Sequence, residues 1–266
     1  MLASMRFLLS LLMLATPAFS IPKLIAHRGA SEAAPENTLA AFKLAWEEGA
    51  DGIEGDFFLT GDGQIVCVHD ADTKRTSGRK VPVGQTTYEE LRKLDVGRWK
   101  NAKYAGERIP LLSEVLAIIP EGKYFFIEIK SGQEIVGPLK KELAKADPEL
   151  VMIISFNADV VAACRKELPN FQAHLVSSLD KIGKRGAKDA LLQQLDDIGA
   201  TGLQFKFNAP VGAAFIDRLH KGDRLCASWT VNDPKHAARL AGMGLDFLTT
   251  DRPGALRRET DWPSKD

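Results

Sequence analysis

The sequence predicts an α/β protein: a single (β/α)8 barrel of the TIM type, with a small insertion between the second strand region and the second helix. Three observations carry that expectation. Short apolar, β-rich runs alternate with amphipathic helical stretches from Lys23 onward. No long linker, internal repeat or low-complexity segment interrupts the alternation. Polar residues of the kinds that do chemistry sit within or at the ends of several apolar runs. Alternation of this kind favours a parallel sheet closed on itself, with its reacting groups at the C-terminal ends of the strands.

The expected strands are 24–28, 52–58, 64–69, 124–130, 151–156, 171–177, 202–207, 224–231 and 246–250. The expected helices are 37–48, 111–119, 134–146, 158–167, 187–198, 212–221 and 234–242. Caps support them: Asn37 and Asn157 precede helical runs, and Asn232-Asp233 precedes Pro234 at a first-turn position. Gly49, Gly199 and Gly244 close helical stretches. One strand is surplus to strict alternation. Residues 52–58 and 64–69 are joined by Thr60-Gly61-Asp62-Gly63, a tight-turn sequence.

The insertion, about 71–110, is turn-rich with one short helix expected, and Thr87 to Glu90 has capping-box spacing. It holds ten Lys/Arg against five Asp/Glu. Two readings stand: ordinary solvated loop charge, or a mobile cap over the barrel mouth that attracts an anion.

The first twenty residues stand apart. Arg6 precedes the apolar run Phe7 to Ala15, and Pro17 and Ala18-Phe19-Ser20 follow it. This reads as a signal peptide cleaved after Ser20, giving an exported (periplasmic or secreted) barrel domain over 21–266. The run is shorter than the roughly 20 residues of a membrane span, so no stable span is expected in the mature chain. An apolar share of 45% with 26% charged residues describes a soluble globular chain. With 35 basic and 35 acidic residues, a general nucleic-acid binder is disfavoured. Cys67, Cys164 and Cys226 are widely separated and read as buried thiols, with no disulfide predicted.

Glu54 and Asp56 are two apart on one expected strand, and Glu128 and Lys130 are two apart on another, so each pair shares a face. Three carboxylates meeting at one barrel mouth repel unless a cation sits among them. All-oxygen ligation suits one divalent ion, Mg2+ or Ca2+, rather than zinc. The competing reading is a buried ion-pair network, Lys130 with Glu128 and Arg28 with Asp56. His27 and His69 end apolar runs and titrate near neutrality, with an ordinary pKa of about 6.5, which suits acid–base work around a phosphate. Arg28 and Lys130 are suited to phosphate oxygens. His27 and Arg28 both reach the site only if the chain turns at Arg28, which Gly29 permits. Trp229 lies near the end of another strand. His174, His220 and His236 read as satisfied core residues.

The set HRG (27–29), PENT (35–38), E-x-D (54–56), HD (69–70), EIK (128–130), SF (155–156), WTVN (229–232) and TDRP (250–253) resembles the glycerophosphodiester phosphodiesterase family. The stretch 105–116 resembles that family's return from its insertion. The resemblance spans about residues 23–257. It implies Glu54, Asp56 and Glu128 as ligands of one divalent metal, His27 and His69 as the acid–base pair, and Arg28 and Lys130 on the phosphate. It further implies Trp229 against the glycerol or alkyl part, and Glu36 and Asn37 as loop-shaping residues. The expected function is metal-dependent hydrolysis of a small-molecule glycerophosphodiester to glycerol 3-phosphate and an alcohol. A lysophospholipase D or a sphingomyelinase D-like enzyme on the same site is the nearest alternative. A non-catalytic anion-binding barrel is a more distant one.

Overall fold

A computed structural model describes residues 21–260 and Trp262; the expected signal peptide lies outside the described residues. Nine strands form: β1 (Lys23–His27), β2 (Gly52–Leu59), β3 (Ile65–Cys67), β4 (Tyr124–Ile129), β5 (Val151–Ser155), β6 (Gln172–Ser177), β7 (Gly202–Lys206), β8 (Leu225–Trp229) and β9 (Phe247–Thr250). Eight are parallel. They run in the order β1-β9-β8-β7-β6-β5-β4-β2, and pairing of β1 with β2 closes the ring. The expected (β/α)8 barrel is therefore the architecture. The surplus strand β3 pairs antiparallel with the outer end of β2, through Phe57–Leu59. Because β2 overshoots the ring, this return strand brings the chain back to the barrel mouth, and Val68 N–H donates to the Asp56 carbonyl at 2.8 Å.

The helices are α1 (Leu39–Glu47), α2 (Lys74–Ser77), α3 (Tyr88–Leu91), α4 (Leu112–Leu116) and α5 (Val136–Glu142), then α6 (Ala158–Glu167) and α7 (Ala187–Asp197). α8 (Ala213–His220), α9 (Pro234–Ala241) and α10 (Pro253–Thr260) complete the set. The expected helix 134–146 is broken into α5 flanked by two 3-10 turns. α10, which begins at a proline suited to a first turn, was not anticipated from the sequence.

Two caps differ from expectation. Thr38, not Asn37, caps α1, its hydroxyl accepting from Ala41 N–H. Thr87 makes no side-chain cap to α3. Asn157 and Asp233 do cap α6 and α9.

Side chains alternate across each strand, giving two apolar layers. One lies between strands and helices, with Phe42, Phe57, Phe125 and Leu203 among its buried members. The other fills the barrel itself, with Ile25, Phe126, Met152, Val176, Ala227 and Phe247. The second layer closes the barrel from within. A third cluster, Val66, Val68, Val83, Leu91, Leu94, Val96 and Ile109, gives the insertion its own small core. It contains two short helices and two 3-10 turns rather than the single helix expected. The three cysteines are free and buried, as expected.

Candidate active site

Parallel register sets the site. His27 stands beside Glu54 across β1 and β2, and Asp56 beside Glu128 across β2 and β4. All four positions are inward, so the side chains converge over the closed barrel. His27, Arg28, Glu54, His69, Glu128, Lys130 and Trp229 line one cavity of about 260 Å3 together with Ile154, Phe156, Gln204 and Thr249. That is smaller than the roughly 300–1,000 Å3 of sites for drug-sized ligands.

The turn expected at Arg28 is present. Arg28 has φ +55° and Gly29 φ +80°, both in the left-handed region. A Cβ on Gly29 would lie 2.6 Å from the Ala41 carbonyl carbon, so only glycine lets the chain pass α1 here. The turn aims the Arg28 amide at Glu54 Oε2, 2.9 Å away. Its guanidinium donates to Glu36 Oε1 at 3.0 Å and lies 3.1 Å from Asp56 Oδ2. Asn37, at φ +57°, donates through Nδ2 to Asp56 Oδ2 (2.8 Å) and accepts from Asp56 N–H (3.1 Å). Its amide is committed to the site, which is why it does not cap α1.

Glu54, Asp56 and Glu128 are buried, and each offers an oxygen within 4.8 Å of the other two. This group could hold a metal ion. The competing ion pairs also exist: Lys130 Nζ lies 2.8 Å from Glu128 Oε1 and 3.4 Å from Asp56 Oδ1. They do not account for Glu54, whose buried Oε1 has no partner. Burial, then the Asp56 charge, pushes the Glu54 carboxyl up to about 8. Burial and the same neighbour raise Glu128. Asp56 is held low despite burial by Arg28, Lys130, His69 and Asn37. The local positive charge thus satisfies one carboxylate and leaves two under-compensated, which a hard divalent cation would correct.

Both histidines that line the cavity have a carboxylate on Nδ1, leaving Nε2 for chemistry. His27 Nδ1 is 2.6 Å from Asp251 Oδ1, and His69 Nδ1 is 2.7 Å from Asp70 Oδ1. Burial acts to lower the His27 pKa, but the bond to Asp251 and the Glu54 charge raise it above 6.5. Asp251 also accepts from Ser31 Oγ (3.0 Å) and Asn232 Nδ2 (2.6 Å). Burial would lift its carboxyl; His27, Asn232 and Ser31 hold it at about 2.

Asp251, Asn232, Asp70 and Arg75 carried no catalytic, binding or positioning role in the sequence reading, although Asn232 was read as part of a helix cap and Asp70, Asn232 and Asp251 lie in the motifs of the resemblance. Asp251 could have been found there, because it directly follows β9 at the end where site residues collect. Arg75, from the insertion, forks onto Glu36 at 2.7 and 2.8 Å and donates through Nε to Asp70 at 2.7 Å. No local signal marks it.

Two histidines depart from the core reading. His220 is exposed and pairs with Asp246 at 3.0 Å, and His236 is half-buried against the Phe207 ring. His174 is fully buried, but both its ring nitrogens lack partners.

A cleft at the C-terminal mouth of a parallel barrel, holding histidines, carboxylates and two cations, defines a hydrolase-type site for an anionic ester. The chain belongs to the glycerophosphoryl diester phosphodiesterase family, whose profile it matches over residues 27–255. A glycerophosphodiester phosphodiesterase of Caldanaerobacter subterraneus subsp. tengcongensis is 36% identical, over 87% of this chain and 95% of the relative. One from Bacillus altitudinis is 32% identical, covering 87% and 95%. Among solved structures, an Oleispira antarctica phosphodiesterase in complex with the product sn-glycerol-3-phosphate superposes with a TM-score of 0.81 at 28% identity, covering 91% of this chain and 97% of that one. Among the described residues, no helix is long and apolar enough to cross a membrane.

Proposed function

We propose that this enzyme cleaves glycerophosphodiesters to glycerol 3-phosphate and an alcohol, with His27 and His69 as the acid–base pair and one Mg2+ or Ca2+ held by Glu54, Asp56 and Glu128. The observation that carries the reading is the unpartnered, buried Glu54 Oε1 beside two further carboxylates, in a cavity that two histidines also line. The solved Oleispira phosphodiesterase with bound sn-glycerol-3-phosphate supports the product.

When bound, the ion supplies Lewis-acid polarisation of the phosphate oxygens. The remaining work falls to the chain. Arg28 and Lys130 neutralise charge growing on the phosphoryl oxygens in the transition state. One imidazole takes the proton of the attacking glycerol hydroxyl through Nε2, while Asp251 or Asp70 steadies its Nδ1–H. The other imidazole protonates the departing alcohol. Water then opens the resulting cyclic phosphate with the histidine roles reversed. Trp229 and Phe156, whose rings meet edge to face at 5.5 Å, flank the carbon skeleton at the rim. Export through residues 1–20 belongs to the same proposal, and would place the enzyme where deacylated lipid headgroups are scavenged.

The test is release of glycerol 3-phosphate from glycerophosphocholine, with lysophosphatidylcholine in parallel, before and after exhaustive chelation. Activity on the first substrate that chelation abolishes and Mg2+ or Ca2+ restores is expected. Full turnover in metal-free protein would overturn the ligand assignment. Preference for the lysolipid would move the chain to the lysophospholipase D reading.

A further inference from the structure

At the end of the barrel opposite the catalytic mouth, three side chains of mixed chemistry meet. His220 ends α8, Cys226 lies at the start of β8, and Asp246 directly precedes β9. Strand N-termini gather at that end, whereas the catalytic cavity opens at their C-termini. His220 Nε2 is 3.0 Å from Asp246 Oδ2 and 3.6 Å from Cys226 Sγ, and the sulfur is 3.5 Å from the same Asp246 oxygen. The backbone holds them there. Cys226 N–H donates to Asp246 Oδ2 at 2.7 Å, and Asp246 N–H donates to the Cys226 carbonyl at 3.0 Å. After α8 the chain turns through Asp223, at φ +54°, a left-handed position that aspartate tolerates. Asp223 N–H donates to the His220 carbonyl at 2.9 Å in that turn, which sets the end of α8 over the start of β8.

A surface ion pair between His220 and Asp246 explains two of these groups and leaves the sulfur unexplained. A nucleophilic triad is excluded by the imidazole itself. Such a relay places the carboxylate on one ring nitrogen and the thiol on the other, but here both meet Nε2. Three donor atoms facing one another instead mark corners of a coordination sphere. Around a tetrahedral Zn2+, with bonds of about 2.3 Å to sulfur and about 2.0 Å to nitrogen and oxygen, sulfur stands about 3.5 Å from either light atom and nitrogen about 3.3 Å from oxygen. The three separations here lie within about 0.3 Å of those values. Sulfur, imidazole nitrogen and carboxylate oxygen together suit a borderline-soft ion, unlike the all-oxygen cluster of Glu54, Asp56 and Glu128. We propose that His220, Cys226 and Asp246 form a second metal site, for Zn2+, with a water as the fourth ligand. His220 and Asp246 are partly exposed, which gives the ion its entry and the water its place. Binding releases the Cys226 proton to solvent and leaves the oxidation state of zinc unchanged. The C-terminus of α8 favours the added positive charge. The ion ties α8 to β8 and β9, and its role is to hold these elements together rather than to take part in turnover.

The experiment titrates Co2+, then Zn2+, into the purified enzyme kept in excess Mg2+. One equivalent of Co2+ is expected to give a thiolate-to-cobalt charge-transfer band with the intense visible bands of tetrahedral cobalt, and Zn2+ to bleach both. The charge-transfer band cannot come from Glu54, Asp56 and Glu128, which offer no sulfur. Cys226→Ser removes it. His220→Ala weakens cobalt affinity by about a hundredfold or more, since losing even an outer partner of a metal ligand costs about tenfold to a hundredfold. In both variants the Zn2+-dependent rise of the urea midpoint shrinks. A cooperative urea transition is the folding control, and His220→Ala, at a partly exposed position, keeps the site testable should Cys226→Ser fail to fold. Wild-type protein without a sulfur band, the same band in Cys226→Ser, or undiminished affinity in His220→Ala would each overturn the site.

Discussion

Replacing Asp251 by Asn tests whether this carboxylate positions and charges His27 or merely fills space. Asn keeps the shape and one acceptor oxygen, which can serve His27 and Ser31, but it puts an NH2 group where Oδ2 accepts from Asn232 and removes the negative charge 2.6 Å from His27 Nδ1. A carboxyl held at about 2 instead of 3.8 corresponds to about 2 kcal/mol of favourable interaction, at 1.36 kcal/mol per tenfold change in the proton equilibrium. His27 heads the causes that hold it there, after the opposing effect of burial. If that interaction is realised as the imidazole gains its proton, Asp251→Asn lowers kcat/KM by about thirtyfold. The sign on the pH axis is also fixed. Asp251 raises the His27 pKa, so the limb of the rate profile belonging to His27 moves to lower pH in the variant. For stability, a depressed carboxyl contributes above its unfolded pKa near 3.8 and loses that contribution as pH falls toward 2. The variant is therefore less stable than wild type at pH 6 by about 2 kcal/mol, and the gap narrows below about pH 4 and closes only below about pH 2. Steady-state kinetics from pH 5 to 9 and urea melts at two pH values measure both. Kinetics within threefold of wild type, with neither limb displaced, would refute the reasoning.

Two further perturbations follow from the same geometry. His174 is held neutral by burial, with its pKa lowered to about 3, so the unfolded chain binds a proton below about pH 6.5 that the folded chain refuses. Folding stability is lost from this source as pH falls from about 6.5 toward 3. His174→Leu should accordingly gain about 2.5 kcal/mol over wild type at pH 4.5 relative to their difference at pH 7.5; parallel urea-melt profiles would count against it. Arg75→Ala releases both Glu36 and Asp70, and should lower kcat/KM about tenfold. Arg75→Lys recovers only part, because an ammonium cannot reproduce the two-pronged bond to Glu36. Equal rates in the Lys variant and wild type would show that the fork geometry is idle.

The barrel was legible because its signals are redundant. Strand–helix alternation, glycine at helix ends and the Thr60–Gly63 turn each point to the same arrangement, including the extra hairpin strand. Glu54, Asp56, Glu128 and Lys130 were legible for another reason: period-two spacing fixes which charges share a face, and charge inside an apolar run demands explanation. Gln204 and Thr249 were not. Strands covered on both sides are apolar on both faces, so the phase of an uncharged polar residue within them carries no mark of inside or outside. Asn37 failed differently. As a residue favoured at helix starts it read as a cap, but its amide is taken by Asp56 and the cap falls to Thr38. The propensity was real, and a tertiary bond outcompeted it.

The insertion shows where sequence reasoning stops for a physical reason. Its excess of basic residues allowed either a solvated loop or a cap over the mouth, and composition alone cannot place one arginine among ten cations. Its fold decides. A private core built on Val83, Leu91 and Ile109 stiffens the segment, while Lys100 Nζ and Tyr104 Oη bond the Ser31 and Ala33 carbonyls beside the mouth. Arg75 then completes a chain of contacts, His69–Asp70–Arg75–Glu36–Arg28–Asp56, that reaches from one histidine to a carboxylate of the acidic cluster. These contacts tie the segment to the rim of the mouth. Its charge works at short range, by setting where His69 and Arg28 stand relative to each other, and this is why the loss of one exposed arginine should register in the rate.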